Sequence, residues 1–209
     1  MKIILLGPSG AGKGTLAENI QKDYKLAHIS TGIIFRKNIS DKTELGVIAK
    51  KHMMEGSWVP DDLTLNMLTE PFKQAKNGFI LDGYPRTLNQ AKLLSAKIKE
   101  AIIIELSISD EIVVDRLGGR FFCPKCEKNY NTKFGKVDNC TACKTILIQR
   151  EDDKPETIRN RLRSYYKEAT AMSNFYKEHG NLIKIEVTEN MSPDDVYSEV
   201  KPHIAKVSN

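Results

Sequence analysis

At 209 residues, 40% of them hydrophobic and 28% charged, the chain has enough apolar material for one substantial core with insertions, but not for two large independent domains. These proportions exclude both a disordered chain and a membrane-embedded one. Basic residues exceed acidic ones by 32 to 27, a net +5 spread along the chain rather than gathered in a tail, which suits small polyanionic ligands better than nucleic acid.

Lys2 to Leu6 is a β-branched and Leu-rich run that predicts a strand. Its apolar part is far shorter than a signal-peptide core and meets Gly7 and Pro8 directly, so a cytoplasmic location with no membrane partner is expected. From Lys13, the positions Leu16, Ile20 and Tyr24 have helical spacing. A helical, polar segment from about Ser30 to Val59, bounded by Thr31-Gly32 and Val59-Pro60, reads as an insertion. Further strands are expected at Phe79 to Leu81, before Asp82-Gly83, and at Ala101 to Leu106, with Ser109-Asp110 opening a helix. Between Gly119 and Asp153 the apolar periodicity fades and Gly, Asn, Lys and Cys dominate, which marks a second small insertion. From Thr157 to Tyr176, Ile158, Leu162, Tyr165, Ala169, Met172 and Tyr176 form one apolar helix stripe, and Leu182 to Val187 supplies a last strand. Strands alternating with helices predict an α/β fold, a parallel β-sheet flanked by helices.

The segment Gly7-Pro8-Ser9-Gly10-Ala11-Gly12-Lys13-Gly14-Thr15 lies between the first strand and the first helix. Glycines there let backbone N–H groups converge on phosphate oxygens, the helix N-terminus adds positive charge, and Lys13 can bridge phosphates. Gly14 separates the lysine from Thr15, so the general phosphate-loop pattern is only partly met. Asp82, after a buried strand, is placed to hold waters around a Mg²⁺ ion carried by phosphates, against the plainer role of a turn residue. All four cysteines fall in one stretch, as Cys123-x2-Cys126 and Cys140-x2-Cys143 with thirteen residues between the pairs. They could pair as disulfides, but a reducing compartment favours a metal site, and an all-thiolate set fits structural Zn²⁺.

The Gly-Ala-Gly-Lys-Gly-Thr form with its extra glycine resembles the nucleoside monophosphate kinase family of the P-loop NTPase fold. Blocks similar to those of adenylate kinases then follow in order: residues 28–32 with Arg36, residues 56–61, residues 81–87 with Gln90, Asp115-Arg116 through Gly119-Arg120, residues 149–153 and residues 159–161. The resemblance spans essentially the whole chain. It implies a core of residues 1–29, 60–118 and 154–209, an AMP-binding insertion of residues 30–59, and a zinc-binding lid of residues 119–153. It also implies transfer of the terminal phosphoryl group of ATP to AMP by a monomer, with Mg²⁺ accompanying ATP.

Residue by residue, it implies that Gly10, Ala11, Gly12, Lys13, Gly14 and Thr15, together with Arg120, Asn129, Tyr130 and the backbone at Met191, hold ATP. Thr31, Arg36, the backbone of Ser57, Trp58 and Val59, then Gly83, Tyr84, Pro85, Arg86 and Gln90, would hold AMP, with Gln90 reading the adenine edge. Arg150 and Arg161 match phosphate-binding arginines. Two nucleotides bring about six negative charges together, and Lys13, Arg36, Arg86, Arg120, Arg150 and Arg161 suffice to offset them. Lys13, Arg86, Arg120, Arg150, Arg161 and Asp82 are therefore the expected catalytic set. The acceptor phosphate is already an anion, so no general base is needed. One departure stands out: after Thr31-Gly32 the family usually has Asp, and this chain has Ile33. The competing readings are a uridylate, cytidylate or GTP-dependent AMP kinase, against which Thr31 and Gln90 favour adenine, and a zinc-ribbon module binding nucleotide or nucleic acid, for which the knuckle segment has too few aromatic residues.

Overall fold

The structure is a computed structural model that describes residues 1–135 and 137–208; residue 136, inside the expected 119–153 insertion, and residue 209 lie outside the described residues. In chain order the first half comprises β1 (Lys2–Leu6), α1 (Lys13–Tyr24), β2 (Ala27–Ser30), α2 (Thr31–Ser40), α3 (Glu44–Glu55), α4 (Asp61–Gln74), β3 (Phe79–Asp82) and α5 (Leu88–Lys97). The second half comprises β4 (Ile102–Ile108), α6 (Asp110–Gly118), β5 (Arg120–Phe122), β6 (Asn129–Asn131), α7 (Pro155–His179), β7 (Asn181–Val187) and α8 (Pro193–Ser208).

Five strands form a parallel sheet in the order β2-β3-β1-β4-β7, so the loop after central β1 opens at the carboxyl edge, where ligands of such sheets bind. Successive strand residues point to opposite faces. Ile3 and Leu5 therefore pack with Leu16 and Ile20 of α1 and Val200 and Ile204 of α8. Ile4 and Leu6 pack on the other face with Leu68, Leu94, Met172 and Tyr176. Cover on both faces explains why β1 reads as an unbroken apolar run rather than an alternation.

The sequence reading contains β1, β3, β4 and β7 but not β2. Ala27-His28-Ile29-Ser30 has one strongly apolar residue and no alternation; it is a strand because its backbone pairs with β3, from Ala27 opposite Phe79 to Ser30 opposite Asp82. The expected helix start at Ser109 is present, its hydroxyl accepting from the Ile112 N–H at 3.5 Å. The α7 stripe is buried at Ile158, Leu162, Met172 and Tyr176.

Two groups of residues stand apart from the sheet's own core. Helices α2 and α3 share a small cluster of Phe35, Ala49 and Val59, with Met53, Leu63 and Met67 packed against it. Gly56 ends α3 at φ +73, and a Cβ there would sit 2.8 Å from the Thr157 carbonyl oxygen of α7, so only glycine allows this approach. The other group is the antiparallel β5–β6 pair, with Phe121 opposite Tyr130, followed by a bridge between Phe122 and Ile148. Its apolar centre consists of Cys123, Cys140 and Leu147. Among the described residues, no helix is long and apolar enough to cross a membrane.

Candidate active site

The chain leaves β1 and enters α1 through residues 7–12. Gly10 and Gly12 have φ of +91° and +99°, and a Cβ on Gly10 would stand 2.9 Å from Leu117 Cγ of α6. Helix α1 begins without a side-chain cap, which leaves its first amides to serve an anion. Lys13, only 9% exposed, folds back so that Nζ donates to the carbonyl oxygens of Gly7 (2.7 Å) and Pro8 (2.8 Å). Burial lowers the Lys13 ammonium to about 8, Asp82 pulling against it while Arg86 and Arg120 add to the shift. Burial would raise the Asp82 carboxyl, but His28, Lys13 and Arg86 together hold it below the ordinary carboxylate range. The His28 Nε2 to Asp82 Oδ2 distance is 3.7 Å, beyond hydrogen-bond range.

This loop forms one wall of a cleft of about 430 Å³. Of the residues expected from the sequence, Gly10, Ala11, Gly12, Lys13, Gly14, Thr15, Arg36, Ser57, Trp58, Val59, Asp82, Gly83, Arg86, Gln90, Arg120, Asn129, Tyr130, Arg150 and Arg161 all line it. Ile33 lines it too. Pro85 borders a smaller adjoining cavity. Thr31, Tyr84 and Met191 stand off the lining: the Thr31 hydroxyl donates to the Gly83 carbonyl at 3.0 Å, Tyr84 is fully buried, and the Met191 carbonyl accepts from Arg116 Nη2 at 3.2 Å.

The guanidinium groups come from distant parts of the chain and are aimed by carboxylates and rings. Arg120 grips Asp153 through two bonds, Nε to Oδ2 at 2.7 Å and Nη2 to Oδ1 at 2.5 Å. Arg161 Nη2 bonds Asp152 Oδ2 closely, and its Nη1 lies 3.7 Å from Asp153 Oδ1. Arg86 lies over the Trp58 ring at 4.5 Å and donates from Nε to the Gly83 carbonyl at 2.8 Å. Arg150 lies over Phe122 at 5.2 Å, and its Nη2 donates to Asn129 Oδ1 at 2.6 Å. Burial, then the neighbouring Arg161, pushes Arg86 down; burial, then Arg120 and Arg36, does the same to Arg150. Such crowding of like charge is unfavourable without an anion to share. In addition, Trp58 Nε1, Arg150 Nε and His28 Nε2 are buried without a hydrogen-bond partner, and all three residues line the cleft.

Sequence reasoning assigned no role to Asp152, Asp153, Arg116 or Glu127, although the first three lie within the quoted blocks. Arg116 Nη1 reaches the Ala11 carbonyl at 3.4 Å and so braces the phosphate loop from α6. Glu127 Oε2 accepts from Arg36 Nε at 2.6 Å, joining the β5–β6 group to α2 across the cleft. No local pattern signals the pairing of Arg120 with Asp153 or of Arg36 with Glu127, because these partners lie 33 and 91 residues apart.

Cys123, Cys126, Cys140 and Cys143 bring their four Sγ atoms within 4.8 Å of one another. The separations of 3.3 Å (Cys123 to Cys143) and 3.5 Å (Cys126 to Cys140) are far longer than a disulfide bond, and all four cysteines are free. They are close to the edge of about 3.8 Å that a tetrahedron of thiolates around zinc implies. Both knuckles share a backbone design: the residue after the second cysteine has positive φ, Glu127 at 59° and Lys144 at 61°. Each of these residues also returns its N–H to the first cysteine's carbonyl at 2.9 Å. Tyr130 links this group to the cleft, its hydroxyl donating to Cys140 Sγ at 3.3 Å while the residue lines the cleft.

Comparison with known proteins identifies the family. The adenylate kinase family model matches residues 5–181. The adenylate kinase of Clostridium kluyveri is 43% identical over 196 residues, covering 89% of this chain and 90% of the relative. That of Caldanaerobacter subterraneus subsp. tengcongensis is 42% identical over 211 residues, covering 96% and 95% respectively. That of Agathobacter rectalis is 43% identical over 210 residues, covering 96% and 97%. With its phosphate loop, its converging arginines and near-full-length similarity to these proteins, the chain belongs to the adenylate kinase family, whose members are ATP:AMP phosphotransferases.

Proposed function

We propose that the cleft holds ATP on the side of the phosphate loop and AMP on the side of α2, α3 and β3, and that phosphoryl transfer between them yields two ADP. The observation that carries this reading is the convergence of Lys13, Arg36, Arg86, Arg120, Arg150 and Arg161 on one cleft from six separate points of the chain. On this reading the amides of residues 10–15, Lys13 and Arg120 grip the ATP phosphates, with Asn129 and Tyr130 beside them. Met191 belongs to the ATP side through its backbone. Arg36, Arg86, Gly83 and the segment 57–59 hold AMP, whose base meets Gln90; Thr31, Tyr84 and Pro85 shape that pocket from behind. Arg150 and Arg161 sit between the two nucleotides.

Preorganised guanidinium forks stabilise charge as it shifts onto the transferring group, and the Asp152 and Asp153 carboxylates hold two of those forks in place before substrate arrives. Reaction then depends on alignment of two anions rather than on proton abstraction. Asp82, a half-buried carboxylate beside the start of α1, is the group here suited to hold the water shell of a Mg²⁺ ion. When bound, Mg²⁺ neutralises phosphate charge.

The four cysteines form a closed all-sulfur site suited to structural Zn²⁺. Residues 119–153 would act as a lid and residues 30–59 as the AMP-binding segment, on a core of residues 1–29, 60–118 and 154–209. Their closure keeps water from accepting the phosphoryl group. The working form is a cytoplasmic monomer. A coupled assay offering ATP with each nucleoside monophosphate in turn tests the reading: AMP is expected to be the preferred acceptor, and equal turnover with UMP or CMP would overturn it.

A further inference from the structure

Gln90 is 2% exposed yet lines the cleft, and both ends of its amide are held by the protein. Its Oε1 accepts from the Arg86 backbone N–H at 2.7 Å, and its Nε2 donates to Asp61 Oδ1 at 2.5 Å. Asp61, the first residue of α4, is itself held on its other oxygen by Asn89 Nδ2 at 2.9 Å and more loosely by the Thr87 hydroxyl at 3.5 Å.

A carboxylate only accepts hydrogen bonds and a backbone N–H only donates. Turning the amide over would set oxygen against carboxylate at one end and N–H against N–H at the other, so its orientation is locked. One N–H and one oxygen lone pair of the same amide are then left over. A 6-aminopurine offers a donor at N6 beside an acceptor at N1, the complement of that pair. A 6-oxopurine offers an acceptor at O6 beside a protonated N1, and meets like with like.

We infer that Asp61 is a positioning residue for acceptor specificity: by fixing the Gln90 amide, it makes the pocket select a 6-aminopurine over a 6-oxopurine. This rests on the reading that Gln90 faces the acceptor base. A site that hydrogen-bonds a substrate group discriminates strongly against an analogue that mispairs it, because buried polar groups are then left unpaired.

The test compares AMP with IMP as acceptors in the wild type, Asp61→Ala, Asp61→Asn, Gln90→Ala and the Asp61→Ala/Gln90→Ala double variant, with melting curves to confirm folding. Asp61→Ala is expected to lower the AMP:IMP ratio of kcat/KM by about tenfold, the worth of one hydrogen bond, with the loss concentrated in KM for AMP. In the Gln90→Ala background the same change is expected to do nothing further to the ratio. Asp61→Asn, which keeps the shape but can also donate, is expected to lower the ratio to a lesser degree and serves if the alanine variant does not fold. A wild-type ratio in both Asp61 variants, with Gln90→Ala lowering it, would overturn the inference and leave the proposed pocket standing. A wild-type ratio in Gln90→Ala would overturn both.

Discussion

Burying an ammonium group under the phosphate loop is unfavourable on its own, and at Lys13 burial brings the pKa from 10.5 to about 8. A shift of that size corresponds to about 3 kcal/mol against the charged form. The sign follows from linkage: the unfolded chain binds the proton more tightly, so this cost is present at neutral pH and disappears as pH rises from about 8 through 10.5. Phosphate should restore the proton. ATP binding is therefore expected to take up about half a proton near pH 8 and most of one by about pH 9, falling toward zero below pH 7, measurable by calorimetry in buffers of different ionisation enthalpy. No uptake at pH 8.5 would show that Lys13 keeps its charge in the free protein. Lys13 was legible because the glycine-rich loop that holds it, residues 7–15, is contiguous in sequence. Asp153 was not, since its fully buried carboxylate is bonded by Arg120, 33 residues away.

At the scale of elements, the knuckle that ends with Glu127 does more than place two cysteines. Its left-handed backbone at φ 59° costs about 1 kcal/mol for a residue that is not glycine, and it carries the side chain that ties the β5–β6 group to Arg36 of α2. If Arg36 serves the AMP phosphate, Glu127 competes with that phosphate for it. Glu127→Gln is thus expected to lower KM for AMP roughly threefold to tenfold, because a partly exposed ion pair is worth on the order of 1 kcal/mol. Initial rates at varied AMP and two salt concentrations check this, and the effect should shrink at high salt. An unchanged or higher KM would mean that the pair does not oppose AMP. The knuckles themselves were readable from cysteine spacing, and β1, β3, β4 and β7 from apolar runs. Strand β2 was not, because a four-residue edge strand with His28 in it is specified by its partner rather than by its own composition.

For the molecule as a whole, the β5–β6 group buries, among the described residues, Cys123, Cys140 and Leu147 as its apolar centre, too little to hold such a group without a staple. Metal thiolate bonds are expected to replace that core. Chelation under reducing conditions should lower the melting temperature while ATP still binds at the phosphate loop, which belongs to the sheet. Metal analysis of the purified, reduced protein should find about one Zn²⁺ per chain, and a melting temperature unmoved by chelator would remove the structural role. The link from Cys140 through Tyr130 to the cleft makes this whole-molecule property relevant to turnover, since a loosened knuckle also loosens a wall of the site.

By itself the sequence determined the phosphate loop, the cysteine knuckles and the alternation of strands and helices. Each of these rests on residues close together in the chain, where backbone geometry, ligand spacing or apolar periodicity suffices. Only the tertiary structure decided which carboxylates aim which arginines, that Glu127 meets Arg36, and that Asp61 locks Gln90. Those are pairings between side chains brought together by packing of the sheet, its helices and the β5–β6 group. An arginine's charge is written in one letter, but the direction of its fork depends on a partner that no local pattern identifies.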